Sequence, residues 1–401
     1  MSNNKRLNLK NRKLGILFIA SVLIFVGISP VLKRNPINWG ILFYSKQGSA
    51  YLSKNVKIEN LTSDMLILAV KNGVCWTSRG NTLFVSLDEG KRWEKRCVLP
   101  YATMSLSYLK RFSVIRNLFD KPGIDKLMVL GSKTILAFSG KYLWRSVDNG
   151  SFFQLVHTTG YPPLLQGWTK GDKEIFYGEY PWKTSEHQEV NIWKSIDDGK
   201  SWFITYTFPA GSIRHIHAVQ YDPYTHRIWV ATGDEDAECR IMYSEDGAKT
   251  FKTIGQGTQE SRAVSLIFTK DFIYWGTDCP YKQNYIFRWD RKTRKRQEVQ
   301  KINGPAYYST KLRDGSLVLA TTVEGGIGES DTSAHLWFKE SNSENWEDIG
   351  SWKKISGIKS HGLLRLAQPN ESLHIYLTPW YTEGHGSIFE LRINKDRYID
   401  R

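Results

Sequence analysis

The sequence predicts an all-β protein: a β-propeller of four-stranded blades, preceded by an N-terminal transmembrane helix. Three observations carry this prediction. A turn motif recurs at intervals of 49 to 60 residues, the units around its copies divide into four strand-like runs each, and an uncharged run stands near the N-terminus. With 401 residues, 41% of them hydrophobic, the chain can bury the core of one large domain.

The uncharged run extends over the nineteen residues from Leu14 to Leu32. At about 1.5 Å per residue this length nearly matches a hydrocarbon core of about 30 Å. Five cations precede the run and two follow it, which predicts a cytoplasmic N-terminus and an exported remainder. No small-x-small cleavage site follows, which favours an anchor over a cleaved leader. We therefore expect a basic cytoplasmic tail (1–13), a signal anchor (14–32), a linker (33–50) and a periplasmic or extracellular propeller (51–401).

The formal net charge of +15 predicts an anionic partner. Lysines and arginines are spread along the chain and no nucleic-acid-binding motif is present, so nucleic acid is not expected. An acidic polysaccharide, a cell-wall polymer or a phospholipid surface would use the same charge. The four cysteines, Cys75, Cys97, Cys239 and Cys279, lack metal-binding spacing, and we expect small buried hydrophobes while leaving a disulfide open.

The repeated motif is Ser-x-Asp-x-Gly-x-x-aromatic, found at residues 86–93, 146–153 and 195–202. A fourth copy, at 244–251, has its glycine one place early. In a tight turn between strands, Asp accepts backbone N–H bonds, Gly adopts a positive φ and the aromatic residue anchors the next strand in the core. These functions assign a structural role to the four aspartates, Asp88, Asp148, Asp197 and Asp246.

This repeat resembles the Asp-box (BNR) repeat of sialidase-like β-propellers, and the resemblance covers most of the chain after residue 60. It implies the propeller fold and a structural role for the boxes, and it leaves the reaction open. True sialidases carry an Arg-Ile-Pro element, which this sequence lacks. The resemblance therefore does not extend to sialidase activity.

The clearest unit has strands predicted at 215–221, 227–233, 239–244 and 251–255, with the motif joining the third strand to the fourth. Counting such units predicts seven blades, with six as the alternative. The last unit lacks an outer strand. We expect a strand from residues 41–60 to complete it, because closure of the ring removes open sheet edges.

In such a propeller the inner strands begin at one face of the central channel, where the loops between second and third strands also lie, and the Asp turns occupy the opposite face. His215 and His217 are two residues apart on a strand and point to one side. With a third histidine from another blade, the pair could bind a divalent metal or supply base and acid for polysaccharide β-elimination. The catalytic candidates at this face are His215, His217, His361, Arg262, Asp278 and Glu383.

Glycoside hydrolysis would instead need two carboxyl groups beside a sugar bond, which Glu179, Asp234, Asp236, Asp278 and Glu383 could supply. Arginines could bind an anionic sugar, and aromatic rings could stack on sugar faces. The substrate-binding candidates are Arg214, Glu179, Tyr180, Trp182, Asp234, Asp236, Trp380, Tyr381 and His385. Among the aromatic residues, Trp182, Trp380 and Tyr381 are expected beyond strand ends.

The sequence thus predicts a membrane-anchored propeller that binds or processes a glycan, most simply an acidic exported polysaccharide. The alternative is a non-catalytic envelope scaffold or protein-interaction propeller. If the protein is an enzyme, glycoside hydrolase and polysaccharide lyase both remain open. Close carboxylates in the channel would favour the hydrolase, and a histidine cluster would favour a lyase or a metal site.

Overall fold

The computed structural model describes residues 50–100, 123–131, 133–182 and 188–394, and these residues form a seven-bladed β-propeller. Each blade contains four antiparallel strands. In six blades they follow one another in sequence order from the inside outward, one of the six gains a fifth strand, and the last blade takes its outer strand from the N-terminal part of the chain. The prediction of seven four-stranded blades is confirmed. The predicted membrane segment, 14–32, lies outside the described residues.

The blades are numbered along the chain. Blade 1 contains β3 (Leu66–Lys71), β4 (Val74–Arg79), β5 (Thr82–Ser86) and β6 (Glu94–Val98). Blade 2 contains β7 (Ile124–Val129), β8 (Ile135–Ser139), β9 (Tyr142–Ser146) and β10 (Gln154–Thr158). Blade 3 contains β11 (Trp168–Lys170), β12 (Ile175–Gly178), β13 (Val190–Ser195) and β14 (Phe203–Phe208). Blade 4 contains β15 (His215–Asp222), β16 (Arg227–Gly233), β17 (Arg240–Ser244) and β18 (Lys252–Gln256).

Blade 5 contains β19 (Ile267–Phe268), β20 (Phe272–Gly276), β21 (Asn284–Asp290) and β22 (Arg296–Ile302). Blade 6 contains β23 (Ala306–Lys311), β24 (Leu317–Thr321), β25 (Ser333–Lys339) and β26 (Glu347–Lys353), with β1 (Tyr51–Leu52) added at its outer edge. Blade 7 contains β27 (Leu363–Leu366), β28 (Ile375–Trp380) and β29 (Ile388–Ile393), and β2 (Val56–Thr62) is its outer strand. Two 3-10 helices, Asp236–Glu238 and Gln259–Ser261, lie in loops.

The ring is closed by β2, which pairs with β29 from Val56 opposite Ile393 to Thr62 opposite Ile388. A closing strand was predicted between residues 41 and 60, and the observed one ends two residues later. The short β1 pairs with β26 and was not anticipated. Blades 6 and 7 therefore each receive a strand from the N-terminal part of the chain.

The hydrophobic core lies between neighbouring blades. One cluster joins Leu83 and Val85 of blade 1 to Ile124 and Ile135 of blade 2. The fully buried strand runs make this possible, because a strand packed on both faces needs apolar residues at consecutive positions. All four cysteines are free thiols. Three are buried, as expected for small hydrophobic residues, and Cys97 is half-buried.

The four aspartate turns share one hydrogen-bond pattern, shown by the turn after β13. The Ser195 hydroxyl donates to Asp197 Oδ1 at 2.8 Å and accepts from Gly199 N at 2.9 Å, while Asp197 Oδ1 also accepts from Ser201 N at 2.9 Å. The same three bonds occur in the other copies. Each turn joins the third strand of a blade to the fourth, as predicted.

The displaced glycine of the fourth copy has a backbone explanation. Each turn contains two consecutive residues with positive φ, which are Asp198 (56°) and Gly199 (79°) in blade 3. In blade 4 these positions hold Gly247 (72°) and Ala248 (64°). Because both positions require the left-handed region, a glycine at either one eases the turn.

Replacing Asp197 with Ala should lower the free energy of unfolding by about 1–3 kcal/mol, since the turn N–H groups lose their acceptor. Burial alone would raise the pKa of Asp197, but bonds from Ser201 and Ser195 lower it to about 2. The carboxylate's contribution should therefore be present above pH ~4 and be lost as the pH falls toward 2. Urea denaturation of Asp197→Ala, with Lys200→Ala as an exposed control in the same turn, measures the effect. Equal stability of the two variants would contradict this role.

Candidate functional site

The polar residues at the start of inner strands and after second strands gather at one face of the central channel. His215 begins β15 and Arg262 precedes β19, while Asp234, Asp278 and Glu324 follow β16, β20 and β24. The antiparallel order of each blade brings these ends to one face and the aspartate turns to the other. We call the first the channel face and the second the turn face.

A triad of two histidines and one carboxylate lies at the channel face. His215 Nε2 and His217 Nε2 are 3.0 Å apart, and each lies 3.3 Å from Asp234 Oδ1. A β-bulge between Ile216 and Ala218 shapes the strand at this point. The ligand atoms of the three residues lie within 4.8 Å of one another, so this group could hold a metal ion.

The chemical state of His217 follows from its surroundings. Its Nδ1 lies 3.2 Å from the carbonyl oxygen of Ala263, which can only accept, so Nδ1 carries the proton and Nε2 has a free lone pair. Burial lowers the pKa of His217 to about 4, against a smaller opposing effect of Asp234. His217 is therefore neutral at pH 7 and presents an acceptor to the triad.

Gly233 provides the space for this ring. A Cβ at this position would stand 2.8 Å from His217 Cε1 and 3.2 Å from Arg262 Cγ, closer than ordinary packing permits. Gly233 pairs with His215 across β15 and β16. The residue at the end of β16 must therefore be small for the imidazole of His217 to occupy its position.

Arg262 connects two carboxylates of neighbouring blades. Its Nη2 lies 2.9 Å from Asp234 Oδ1, its Nη1 donates to the Asp234 carbonyl at 3.1 Å, and its Nε donates to Asp278 Oδ2 at 3.0 Å. Burial would raise the pKa of Asp234, but the hydrogen bond from His215 and the charge of Arg262 hold it far below its usual range. Asp234 is thus an anion at any physiological pH.

Asp278 has the opposite tendency. Burial raises its pKa well above the usual value, the neighbouring charge of Glu324 adds to the shift, and Arg262 opposes it. Its Oδ1 and Glu324 Oε1 are buried without a hydrogen-bond partner in the described part of the chain. These two carboxyl groups therefore form an electrostatically linked pair beside the triad.

A stack of rings leads from the triad to solvent. The Tyr180 ring lies 4.1 Å from that of His215 at an interplanar angle of 28°, and the Trp182 ring lies 6.1 Å from that of Tyr180 at 23°. Trp182 is 62% exposed, whereas burial raises the pKa of Tyr180. The exposed indole thus packs on a half-buried tyrosine ring.

His361 reaches the same face through Tyr307, whose hydroxyl lies 3.4 Å from His361 Nδ1. Burial, with the charges of Asp278 and Glu324, raises the pKa of Tyr307 well above its usual value. The sequence predicted a third histidine beside His215 and His217. In the described structure Asp234 takes that place, and the ring contact of His361 is with Tyr307.

Three other predicted residues lie around this centre. Both carboxylate oxygens of Glu179 accept bonds within blade 3, from Asn191 and from the Trp193 indole, so it supports the blade. Arg214 Nη1 lies 3.3 Å from Asp234 Oδ2 at the solvent edge. Asp236 accepts a bond from Gln259 at 2.8 Å.

The predicted residues of blade 7 form a separate packed corner. The Trp380 and Tyr381 rings lie 4.6 and 5.2 Å from that of His385, and Tyr381 N donates to His385 Nδ1. Tyr381 lies just beyond the end of β28, as expected, and is buried against Ile355 and Ile358. Trp380 was also expected beyond a strand end, but it is the last residue of β28. Glu383 is placed by its own backbone N–H, which donates to the Lys353 carbonyl. None of these contacts involves the histidine pair.

The sequence interpretation missed Tyr307. It begins an inner strand, as His215 does, so the placement rule would have found it if it had been applied to aromatic residues as well as to charged ones. The pairing of Asp234 with the histidines was also missed, because the loop after β16 could have turned any of its four acidic residues toward the channel.

The comparisons with known proteins show the fold. No family model and no curated protein matches the chain. Solved structures that are similar include an ancestral GH74 enzyme (12% identity, TM-score 0.53, covering 85% of this chain and 46% of that one). A GH74 enzyme of Niastella koreensis is similar at 13% identity and TM-score 0.50, covering 73% of this chain and 46% of that one. This chain spans less than half the length of either.

A third similar structure is an oligogalacturonate lyase in complex with manganese, at 9% identity and TM-score 0.51. The match covers 87% of this chain and 96% of that one. Identities this low establish the shared propeller architecture alone.

The lowered pKa of His217 predicts an acid-labile protein. Folding favours the neutral form of His217. Between pH ~6.5 and 4 the unfolded chain binds a proton at this histidine and the folded chain does not. The free energy of unfolding should therefore be highest above pH ~6.5 and should fall as the pH drops toward 4. Urea unfolding at several pH values, with chelator present, measures the slope. His217→Gln should flatten it, whereas His226→Gln, at an exposed histidine on the turn face, should leave it unchanged. An unaltered slope in His217→Gln would contradict the assignment.

Proposed function

We propose that the propeller binds and processes an acidic glycan at the channel face, with a divalent metal ion held by His215, His217 and Asp234. The observation that carries the proposal is the ring stack. It places an exposed indole, Trp182, beside a triad of metal-ligand type. Proteins commonly bind a sugar by stacking its apolar face on an aromatic ring while charged groups bind its polar edges.

The triad fits a metal ion. Ligands about 2.1 Å from an ion lie roughly 3.0 to 3.4 Å apart in octahedral or tetrahedral sites, and the three separations in the triad are 3.0, 3.3 and 3.3 Å. His217 is neutral, as a ligand must be, and its Nδ1–H is held by a backbone carbonyl, an orientation typical of ligating histidines. When bound, such an ion supplies a Lewis acid able to hold a substrate carboxylate.

The remaining charges favour an anionic sugar. Arg214 lies at the solvent edge with its side chain 37% exposed, so its guanidinium can pair with a carboxylate in a bidentate manner. The oligogalacturonate lyase with manganese acts on an acidic saccharide by its name, which supports the proposal by analogy. Among enzyme classes, the histidine–metal centre favours a lyase.

A glycoside hydrolase is the second candidate, and a specific observation favours it. Asp278 and Glu324 are linked carboxyl groups, one of which is inclined to hold a proton, and hydrolysis uses such an acid beside a carboxylate. The GH74 enzymes share the fold. We also propose that the repeated turns are Asp boxes of the BNR type.

We further propose that the segment 14–32 anchors the propeller in a membrane with the propeller exported, as its flanking charges indicate. Among the described residues, no helix has the length and apolar character needed to cross a bilayer. Protease added to permeabilised cells with an intact inner membrane should digest the propeller. Protection of the propeller there would exclude this orientation.

Metal binding can be measured directly. Titration of the full chain with Mn²⁺ or Zn²⁺ should show one site, and His217→Ala should weaken binding by about 100-fold or more, because a ligand is lost. His226→Ala is the matched control. Absence of binding to the unaltered protein would remove the metal from the proposal and leave glycan binding to be tested alone.

Glycan binding depends on the exposed indole. Trp182→Ala should weaken binding of oligogalacturonate, used as the probe, by about 10-fold, since stacking of this kind contributes roughly 1 kcal/mol. The melting temperature should not change, because Trp182 is mostly exposed. Tyr224→Ala, at an exposed aromatic residue on the turn face, should bind normally. Equal affinity of the two variants would contradict the platform.

A further inference from the structure

The turn face carries an apolar surface on one side only. Fifteen large hydrophobic side chains are exposed in the described residues, and eight of them lie in the hairpins between third and fourth strands of blades 1, 2 and 3. The same hairpins of blades 4, 5 and 6 contribute none. Seven of the eight lie toward the turn face and are called the apolar rim: Leu87, Val147, Phe152, Leu155, Ile196, Phe203 and Ile204. Val98 lies at the other end of its hairpin, opposite Thr82.

The rim is repeated from blade to blade. In each aspartate turn one residue stands between Ser and Asp, and in blades 1–3 it is Leu87, Val147 and Ile196, which are 71%, 57% and 63% exposed. The turn of blade 4 has Glu245 there, paired with Arg227 and Lys252. The side chain at this position points away from the turn, so it can contact another molecule or surface.

The three hairpins form one continuous surface. Arg96 of blade 1 donates from Nε to the Asn149 carbonyl in the blade 2 turn at 3.1 Å. Arg145 of blade 2 likewise donates to the Asp198 carbonyl in the blade 3 turn at 2.9 Å. The exposed apolar side chains therefore line neighbouring hairpins, and a contiguous exposed apolar patch marks an interaction site.

We propose that the apolar rim docks on the lipid bilayer that holds the anchor of the same chain. The rim hairpins expose the cations Lys91, Arg92, Lys95, Arg96 and Lys200 and nearly as many anions, Glu89, Glu94, Asp148 and Asp198. The charges therefore nearly balance, and the contact with the bilayer would depend on the apolar side chains entering the headgroup region. The apolar run ends at Leu32, eighteen residues before the first described residue. A linker of that length spans at most about 60 Å, so it keeps the propeller beside the bilayer.

Docking by the rim determines which way the binding site points. The rim is on the turn face, so the channel face, with the triad and Trp182, turns away from the membrane and toward the surrounding polymer. This inference depends on the proposed anchor and is independent of the metal.

The experiment places an environment-sensitive fluorophore on the full chain in vesicles of phosphatidylcholine and phosphatidylglycerol. Single cysteines replace Leu87, Val147 or Ile196 in a Cys97→Ser background, and Lys249→Cys, on the blade 4 turn, is the control. We expect a blue shift in emission at the three rim positions and none at position 249. Flotation of the vesicles shows separately whether the anchor has inserted.

Each outcome decides one point. Flotation without a blue shift at the rim overturns docking while leaving the anchor and the proposed function intact. A rim shift that appears without lipid and grows with protein concentration overturns bilayer docking in favour of pairing between two copies of the chain. A rim shift that requires lipid supports the proposal, and the combined Leu87→Ser, Val147→Ser and Ile196→Ser variant should abolish the lipid effect at a label on residue 152 without lowering the melting temperature.

Discussion

The pairing of β2 with β29 is the constraint on which the rest of the structure depends. A propeller blade cannot bury its own apolar faces, and each core cluster needs residues from two neighbouring blades. Without the closing strand, blade 7 would keep an open edge and the ring could separate between its ends. The channel face would be lost as well, because its residues come from blades 3 to 7 and converge only in a closed ring.

Within that ring, Arg262 is the electrostatic centre of the channel face. It is nearly buried and binds carboxylates of two neighbouring blades, so the positions of Asp234 and Asp278 depend on each other through one guanidinium. Removing one partner of such a group leaves a buried charge uncompensated, which costs more than the pair contributes. The fixed position of Asp234 in turn orients the two histidines.

The fold was predictable because local chemistry repeats. The Ser-x-Asp-x-Gly turns determine where third strands end, and alternation around them predicted blade 4 to within one residue at each strand end. Blade 5 is less regular, since its inner strand β19 has only two residues. Its polar contacts come from the loop before it, where Arg262 is positioned by Asp278.

The sequence predicted which residues lie at the channel face, but it did not predict which of their side chains contact one another. Strand order indicates which residues share the channel face, and this placed His215, His217, Arg262, Asp234 and Asp278 together. It does not indicate side-chain direction in loops. Tyr381 shows the limit, because a positive φ of 58° turns it into the corner with His385 instead of toward solvent. Glu179 likewise turns to the Trp193 indole, a partner that no local pattern reveals.

Around Arg262 the channel face has more carboxyl groups than cations, and either a bound metal ion or a retained proton would reduce this excess of negative charge. Three carboxyl groups, Asp234, Asp278 and Glu324, stand near one buried cation, Arg262, while Arg214 pairs with Asp234 at the solvent edge. Lys354 also interacts with Glu324, but burial lowers its pKa and weakens it as a counter-charge. Three acceptor atoms, His215 Nε2, His217 Nε2 and Asp234 Oδ1, meet around one position where only a single ring proton is available, since the proton of neutral His217 is on Nδ1. A divalent ion at that position would satisfy all three acceptors at once and would lower the pKa of nearby Asp278 by adding positive charge. Binding of the proposed ion would therefore favour loss of a proton from the neighbouring carboxyl pair.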